Sequence, residues 1–317
     1  MVPSPSRACS ASLRRRLPWL LLFAVLGCSD GDADAPADAG VDGGADATAK
    51  DPKTCRQRCG DGALFVLDQL TLLPADVSGV AAGFDLDGSV SASSSAVGCG
   101  FEDLKNRYGD AGVDNQLAKI LKLLPPQVGE TLPGALATAI SAGGLTVLLE
   151  EVGGGSFASG GHPQALVIRK GTGKPLLGAD GKLLRSQSFG LESDPVLAIV
   201  DPLTPDGEGG RGGPMLLKFR MLFISTHLGF DLHSARIRVE PDGKGGIRGE
   251  IGGIVTMQDL MGLIGLLGGC DQPLNDQLSE LAPVFADSRL RTGGPCSAFS
   301  MGFSFHGVPA YLLPAKP

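Results

Sequence analysis

From residue 145 onward, short apolar segments alternate with breaks rich in Gly, Asp and Pro. Such runs are typical of β-strands, and one break, Asp242-Gly243, supplies the positive φ that a hairpin turn needs. The pattern predicts an α+β fold of mostly antiparallel strands in a curved sheet, sandwich or partial barrel. The predicted strands cover residues 145–152, 164–170, 196–200, 215–225, 227–240, a segment from 247, and 298–308.

The first half predicts two more strands, at residues 63–73 and 83–87, and the whole chain predicts about four helices. Asp114 is a plausible N-cap for a helix that Pro125-Pro126 ends, and Thr131 for one that Gly143-Gly144 ends. Thr256 with Asp259 resembles a capping box. The helix after Thr256 is apolar nearly all round, which predicts burial in the core. A last helix is predicted over residues 275–289.

The N-terminus reads as an export signal. Three arginines at 14–16 precede an apolar core at 17–27, which is too short to span a bilayer but fits a secretory signal. Val25-Leu26-Gly27-Cys28 resembles the bacterial lipobox, which implies acyl chains on Cys28, added by the lipoprotein processing and sorting machinery. Ser29 then favours the outer membrane over the inner one. An ordinary cleaved signal peptide remains the alternative.

Three regions follow from this reading: a lipoprotein signal peptide at 1–27, a lipidated Cys with an acidic tether at 28–53, and a single β-rich domain at 54–317. The tether contains seven aspartates and no apolar residue larger than Val41, so it cannot bury a core and is expected to be disordered.

Composition argues against a nucleic-acid partner. The whole chain has a formal net charge of −7, and removal of the signal, with its four arginines and no acid, makes the rest more acidic. The one tryptophan, Trp19, lies in the signal. The remaining chain therefore has few aromatic side chains for stacking on bases or sugars.

Cysteine usage predicts disulfides. Apart from Cys9 in the signal and Cys28, the exported part carries five thiols in an oxidising compartment. The preferred pairing is Cys270 with Cys296, and Cys99 with Cys59 or Cys55, although the spacing alone does not fix the connectivity. Zinc is disfavoured because Cys55 and Cys59 have no matching His pair.

Residues 85–88, Asp-Leu-Asp-Gly, resemble the start of a calcium loop, because alternate carboxylates followed by Gly let oxygens converge on a hard cation. Asp110, Asp114 and Asn115 are further candidate ligands if the two segments meet. The segment departs from the EF-hand pattern at Ser89 and Ala96. The alternative places Asp85 and Asp87 on the solvated face of a strand.

His227, Asp231 and His233 have even spacing, so on a strand they share one face and could hold zinc. They equally describe the solvated face of an amphipathic strand. In the glycine-rich segment 153–161, neither Ser156 nor Ser159 completes a nucleophile elbow, and residues 171–175 lack the pattern of a phosphate loop. Both segments are expected to be surface loops.

The segments GFDLDGSV at 83–90, GDAGVDNQLAKIL at 109–121 and PCSAFSMGFSFHGVPA at 295–310 together resemble an uncharacterised family of bacterial secreted lipoproteins with acidic tethers. The resemblance implies no activity, substrate or catalytic residue.

Three function classes remain open. The favoured one is a membrane-anchored envelope lipoprotein that displays a non-enzymatic binding or structural domain. The second is a carrier of an apolar ligand in a β-rich cavity, and the third is a metal-assisted hydrolase that uses the His227 set. No cofactor is predicted, and calcium is the alternative that the sequence leaves open.

Overall fold

The computed structural model describes residues 62–92, 99–123, 126–223, 226–268, 280, 282–291 and 293–313. All of them belong to one unit, Ala47–Pro317. The predicted signal, Cys28 and tether fall outside the described residues. Within the described part of the chain, no helix is long and apolar enough to cross a membrane.

The chain forms eleven described strands and three α-helices. The strands are β1 (Leu64–Thr71), β2 (Leu104–Lys105), β3 (Ala111–Val113), β4 (Val147–Val152), β5 (Ala165–Thr172), β6 (Gln187–Val200), β7 (Thr204–Asp206), β8 (Gly209–Phe223), β9 (Thr226–Pro241), β10 (Ile247–Thr256) and β11 (Ala298–Leu312). The helices are α1 (Gln116–Leu123), α2 (Pro126–Ala142) and α3 (Met257–Gly268).

Nine strands form one large mixed sheet in the order β1-β4-β5-β6-β11-β10-β9-β8-β7, and β1 also pairs with β11. The sheet therefore closes into a ring of five strands, β1, β4, β5, β6 and β11. The other four strands, β10 to β7, extend from this ring. Only β6 pairs with β11 in parallel among the described ladders. The predicted α+β class with mostly antiparallel strands is confirmed at this level.

Strand β11 lies at the centre because both of its faces are covered. Its odd-numbered side chains Phe299, Met301 and Phe303 are buried in the main apolar core. The even-numbered positions in its first half, Ala298 to Ser304, are small: an added Cβ at Gly302 would lie 2.2 Å from the carbonyl oxygen of Ala82. Small residues on this face therefore let the segment around residues 82–84 lie directly against the sheet, which positions the acidic loop that follows.

Helix α1 begins one residue later than the predicted cap implies. Asn115, not Asp114, is the N-cap: its Oδ1 accepts from the backbone N–H of Ala118 at 2.9 Å, and its Nδ2 donates to the Ala82 carbonyl at 2.7 Å. Asp114 is instead held in an extended bridge to Phe84, with its N–H bound to the Phe84 carbonyl at 2.9 Å. The prediction of Asp114 as the cap is wrong because this bridge precedes the helix.

The other helix predictions have mixed outcomes. Helix α2 begins at Pro126 rather than after Thr131, but it ends at the predicted place, where Gly143 has a φ of +79°. Thr256 caps α3 through an Asp259 N–H to Oγ1 bond of 3.0 Å. Leu260 and Leu263 of α3 are buried, as its apolar character predicts. Of the helix predicted over residues 275–289, residues 275–279 and 281 lie outside the described residues. The prediction is wrong for residues 282–289, which form a 3-10 turn at Ala282–Phe285 and then a bridge from Ser288 to Ala298. The described helices therefore number three rather than four.

The disulfide joins Cys99 to Cys296, with their Cα atoms 5.9 Å apart. Disulfide formation is confirmed for these two cysteines, but the predicted pairing is wrong. Cys296 is bonded to Cys99, so neither Cys270 nor Cys55 or Cys59 is its partner or that of Cys99, and those three lie outside the described residues. The bond links the segment before β2 to the segment before β11, an association that sequence spacing does not reveal.

Candidate cation site

Three aspartates converge next to the segment at residues 82–84, which lies against the sheet. One carboxylate oxygen each from Asp85, Asp87 and Asp114 lies within 4.8 Å of the other two. Asp85 and Asp87 belong to the loop after Gly83, and Asp114 follows β3. The bridge between Phe84 and Asp114 brings the two segments together, and the Leu86 N–H donates to Asp114 Oδ2 at 2.6 Å.

The loop takes this shape because its carboxylates bind its own backbone. Asp85 Oδ1 accepts from the N–H groups of Gly88 and Ser89 at 2.6 and 3.1 Å. Asp87 Oδ1 accepts from the Ser89 N–H and hydroxyl at 2.9 and 2.7 Å. The strand predicted at residues 83–87 is therefore wrong beyond the Phe84 bridge, since aspartate favours such local turns over a ladder.

Gly112 permits the close approach of the two segments. It has a φ of +77°, and an added Cβ would lie 2.8 Å from the Ser89 carbonyl oxygen and 3.4 Å from Asp85 Cγ. Any larger residue would be strained in its backbone and would also push the Asp85 loop away from β3. Glycine at this position is thus a condition for the three carboxylates to meet.

The site carries more negative charge than its surroundings offset. Burial, together with the nearby charges of Asp87, Asp287 and Asp103, raises the pKa of Asp114 to about 8. Burial also raises the pKa of Asp103, which stands near Asp87 and Asp85. The Lys119 ammonium interacts with Asp103 and Asp114, but burial lowers its pKa. A carboxylate in this position gains from a cation that replaces lost hydration.

The spacing suits a single hard cation. Calcium binds oxygens at about 2.3–2.6 Å, so two ligands on opposite sides of one ion lie about 4.6–5.2 Å apart. The three aspartate oxygens all lie within 4.8 Å of one another, which is close enough for all three to contact one ion. Six to eight ligands are typical of calcium; three carboxylates would supply the charge, leaving the other positions to water or backbone oxygens.

Asp110, the fourth predicted ligand, lies apart from this group. Its Oδ2 is 2.7 Å from Arg211 Nη2 and 2.8 Å from Arg238 Nη2, and it accepts from Asn106 Nδ2 at 2.9 Å. A carboxylate already bound by two guanidinium groups is poorly suited to bind a cation. The structure therefore separates Asp110 from Asp85, Asp87 and Asp114.

The predicted zinc set is not assembled among the described side chains. Asp231 Oδ1 lies 2.7 Å from Arg220 Nη2 on the neighbouring strand β8. His233 lies two residues further along β9 and is half-buried, and no third metal-ligating side chain is grouped with it and Asp231 among the described residues. The His227 side chain lies outside the described residues. The one described group of three or more metal-ligating side chains is the aspartate group.

The glycine-rich segment forms a surface turn, in agreement with its prediction. Ser156 caps a short 3-10 turn at Phe157–Ser159, accepting from the Ala158 N–H at 3.2 Å. The Phe157 N–H donates to Glu151 Oε1 at 3.1 Å, while Glu151 Oε2 has no described hydrogen-bond partner. Burial raises the pKa of Glu151 to about 7. The serines of this segment therefore stabilise the turn.

Sequence reasoning missed Asp103 and Lys119 at the aspartate group. Both approach it from segments that are distant in sequence from residues 85–87, and neither lies in a recognisable motif. The disulfide at Cys99, four residues before Asp103, is the one local signal that this segment is tied to the core. No protein-family model, curated protein or solved structure matches this chain.

Proposed function

We propose that this chain is a bacterial envelope lipoprotein, anchored through acyl chains on Cys28, that displays a non-enzymatic binding or structural domain. The signal, the lipobox-like Val25–Cys28 and the acidic tether support the anchor. Ser29 favours the outer membrane as its location. The resemblance to secreted lipoproteins with acidic tethers supports the same assignment.

The Cys99–Cys296 disulfide is the observation that carries this proposal. It joins residues 197 apart, linking the segment beside the acidic loop to the strand at the centre of the sheet. Disulfides of this kind persist in oxidising compartments and are rare in reducing ones. A structural disulfide in the folded unit therefore supports export, which the anchor requires.

The anchor is tested by expressing Cys28→Ser in a bacterium that has the lipoprotein processing machinery. Cys9→Ser is the matched control. Radiolabelled palmitate should enter the wild-type protein and Cys9→Ser but not Cys28→Ser. The wild type should stay with membranes through carbonate and high-salt washes because several acyl chains anchor durably. Equal labelling and equal membrane retention of both variants would contradict the proposal.

Calcium binding at Asp85, Asp87 and Asp114 is a second proposed function of the same domain. The convergence of three carboxylate oxygens within 4.8 Å supports it. A bound ion would tie the loop at residues 83–90 to Asp114 and so to the start of α1. Its role would be structural, stabilising a surface of the displayed domain.

Calcium should raise the Tm of the wild-type protein, because a ligand that binds only the folded state adds about 2.7 kcal/mol at 100 times its Kd. Asp87→Asn should remove most of that increase. Asp76→Asn is the matched control, since Asp76 Oδ1 binds the N–H and hydroxyl of Ser78 at 2.8 and 2.7 Å much as Asp87 binds Ser89. A calcium response that Asp87→Asn leaves intact would contradict this site.

The two remaining classes have less support. A carrier needs an apolar cavity, but Phe219 packs against Phe230 and Phe303 with ring centroids 4.9 and 5.9 Å apart. A hydrolase built on the His227 set would need Asp231 free of Arg220, to which it is paired. A non-enzymatic role is accordingly the better supported proposal.

A further inference from the structure

A short hairpin between β5 and β6 exposes leucines among basic side chains. The Leu184 N–H donates to the Leu176 carbonyl at 2.9 Å, so the two leucines are paired across the hairpin. They are 62% and 45% exposed. Lys174, Lys182 and Arg185 lie on the same hairpin and are exposed.

The hairpin is held firmly, so this exposure belongs to a structured surface. Gln187 at the start of β6 accepts from the Leu176 N–H at 2.8 Å and donates to the Leu184 carbonyl at 2.7 Å. Leu183 is buried and bridges Leu177, which fixes the inner face of the hairpin. Leu176 and Leu184 have no comparable role inside the fold.

The end of β11 extends this surface. Gln187 pairs with Ala310, and the residues that follow, Tyr311, Leu312 and Leu313, are exposed. The Leu313 N–H donates to the Phe189 carbonyl at 2.8 Å, which keeps this end of the chain beside β6. We call the whole set the leucine hairpin surface, and it comprises Lys174, Leu176, Lys182, Leu184, Arg185 and residues 311–313.

Charge identifies the partner of the leucine hairpin surface. The chain as a whole has a net charge of −7, yet this hairpin carries three cations and a single acid, Asp180. Arg185 Nη2 donates to the Lys244 carbonyl at 2.6 Å, which brings a fourth basic residue to its edge. Leucines ringed by Lys and Arg suit an anionic lipid surface, where apolar side chains enter the headgroup boundary and cations meet phosphates.

The place where the chain enters the fold agrees with this partner. Leu64, near the start of the described residues, pairs with Ala310, immediately before the exposed residues of β11. The described chain therefore begins beside the leucine hairpin surface. The tether predicted at residues 28–53 would, as a flexible chain, span about 30 Å on average, which is enough for the fold to reach the membrane that holds its proposed anchor.

We infer that the leucine hairpin surface docks on an anionic phospholipid membrane. Leu176 and Leu184 enter the headgroup region, and Lys174, Lys182 and Arg185 bind lipid phosphates. A second copy of the chain fits less well, because a symmetric contact would bring like charges together. The orientation of the domain on its own membrane rests on the proposed lipid anchor, whereas binding to anionic vesicles does not.

A single tryptophan tests this inference in the full chain. In a Trp19→Phe background, Leu184→Trp places the one tryptophan on the surface, and Leu73→Trp places it at an exposed apolar site beyond the other end of β1. Each protein is mixed with vesicles of phosphatidylglycerol or of phosphatidylcholine, with and without brominated acyl chains. Flotation with phosphatidylcholine vesicles reports the acyl anchor separately.

Leu184→Trp should show a blue shift and at least threefold stronger quenching by brominated phosphatidylglycerol than Leu73→Trp. Adding Lys182→Glu should reduce that quenching by half or more, while Lys218→Glu on β8 should leave it unchanged.

Equal quenching of the tryptophans at positions 184 and 73 by brominated phosphatidylglycerol would overturn the inference. A blue shift that depends on protein concentration and not on lipid would overturn it in favour of a second copy. Loss of flotation with phosphatidylcholine alone would count against the anchor, not against the docking surface.

Discussion

Asp110 and Asp114 stand four residues apart on either side of β3, but their carboxylates have opposite surroundings. Asp110 is bound by two guanidinium groups, from Arg211 and Arg238. Asp114 faces other carboxylates, and burial raises its pKa to about 8. An acidic residue is therefore a candidate cation ligand when the fold leaves its charge without a basic partner. Proximity in sequence does not show whether such a partner is present.

Arginine placement explains the difference. Arg238 lies on β9 with its side chain only 6% exposed, and its Nε is 2.8 Å from Asp206 while its Nη2 is 2.8 Å from Asp110. Its guanidinium carbon also lies 3.9 Å from the centroid of the Tyr108 ring. The segment at 106–110 is thus fixed by cations from the sheet, whereas the segment at 85–89 is fixed by its own backbone N–H groups.

The largest effect is expected from removing the cation at the Asp110 side. Arg238→Met should lower the free energy of unfolding by about 2–3 kcal/mol, below the ~3–5 kcal/mol for fully buried pairs because Asp110 and Asp206 keep partial access to water. Urea denaturation measures this. Arg248→Met is the control: it breaks an exposed pair with Glu240 and should cost no more than about 1 kcal/mol. Equal losses in both variants would mean that burial does not distinguish Arg238.

A smaller effect is expected from neutralising Asp114. Its folded pKa of about 8 exceeds the ordinary value of ~3.9, so its contribution to stability is fully present below pH 4 and is lost as pH rises through 8. With a chelator present, raising the pH from 5 to about 6.5 should therefore destabilise the wild type by about 2 kcal/mol more than Asp114→Asn, because each pH unit between the two pKa values costs about 1.4 kcal/mol. Urea denaturation across that range measures the difference.

If the free energy of unfolding depended on pH in the same way for the wild type and Asp114→Asn, the contrast between Asp110 and Asp114 would be contradicted. Asp114 would then ionise as an ordinary surface carboxylate. Asp287 and Glu151, whose pKa values burial raises to about 6 and about 7, also make stability fall with pH. They are present in both proteins, so the difference between the two profiles isolates Asp114.

The smallest effect is expected from Asp110→Asn. It should lower the free energy of unfolding by about 1 kcal/mol, because two charge-assisted hydrogen bonds weaken at a partly exposed site. Calorimetric titration with calcium should give a Kd within about twofold of the wild type, whereas Asp87→Asn should raise it at least tenfold. An equal loss of calcium affinity in Asp110→Asn would mean that Asp110 is also a ligand of the cation.

Much of the fold was accessible from the sequence because strand signals are local. Apolar runs bounded by Gly, Asp and Pro identify β4, β5 and β8 to β11, and the Asp242-Gly243 turn joins β9 to β10. The closure of β1 onto β11 and the parallel contact of β6 with β11 depend on long-range pairing, for which alternation gives no signal. The Cys99–Cys296 bond is inaccessible for the same reason.

The candidate site was accessible in part. Alternate carboxylates with a following glycine indicate Asp85 and Asp87, and Asp114 was a candidate on the condition that the two segments meet, which the Phe84 bridge fulfils. Asp110 was included because it lies in the same later loop. Its carboxylate instead accepts a hydrogen bond from Asn106 and pairs with Arg211 and Arg238. Side-chain direction within an irregular loop depends on tertiary partners, so residue spacing alone could not exclude it.

Cys28 remains the residue on which the proposed function depends. The most direct measurement is mass spectrometry of the N-terminal peptide of the mature protein, purified from membranes. The account predicts that this peptide begins at Cys28 and carries diacylglycerol on the sulfur and an acyl chain on the α-amino group. A mature N-terminus at another residue, or an unmodified Cys28, would contradict it.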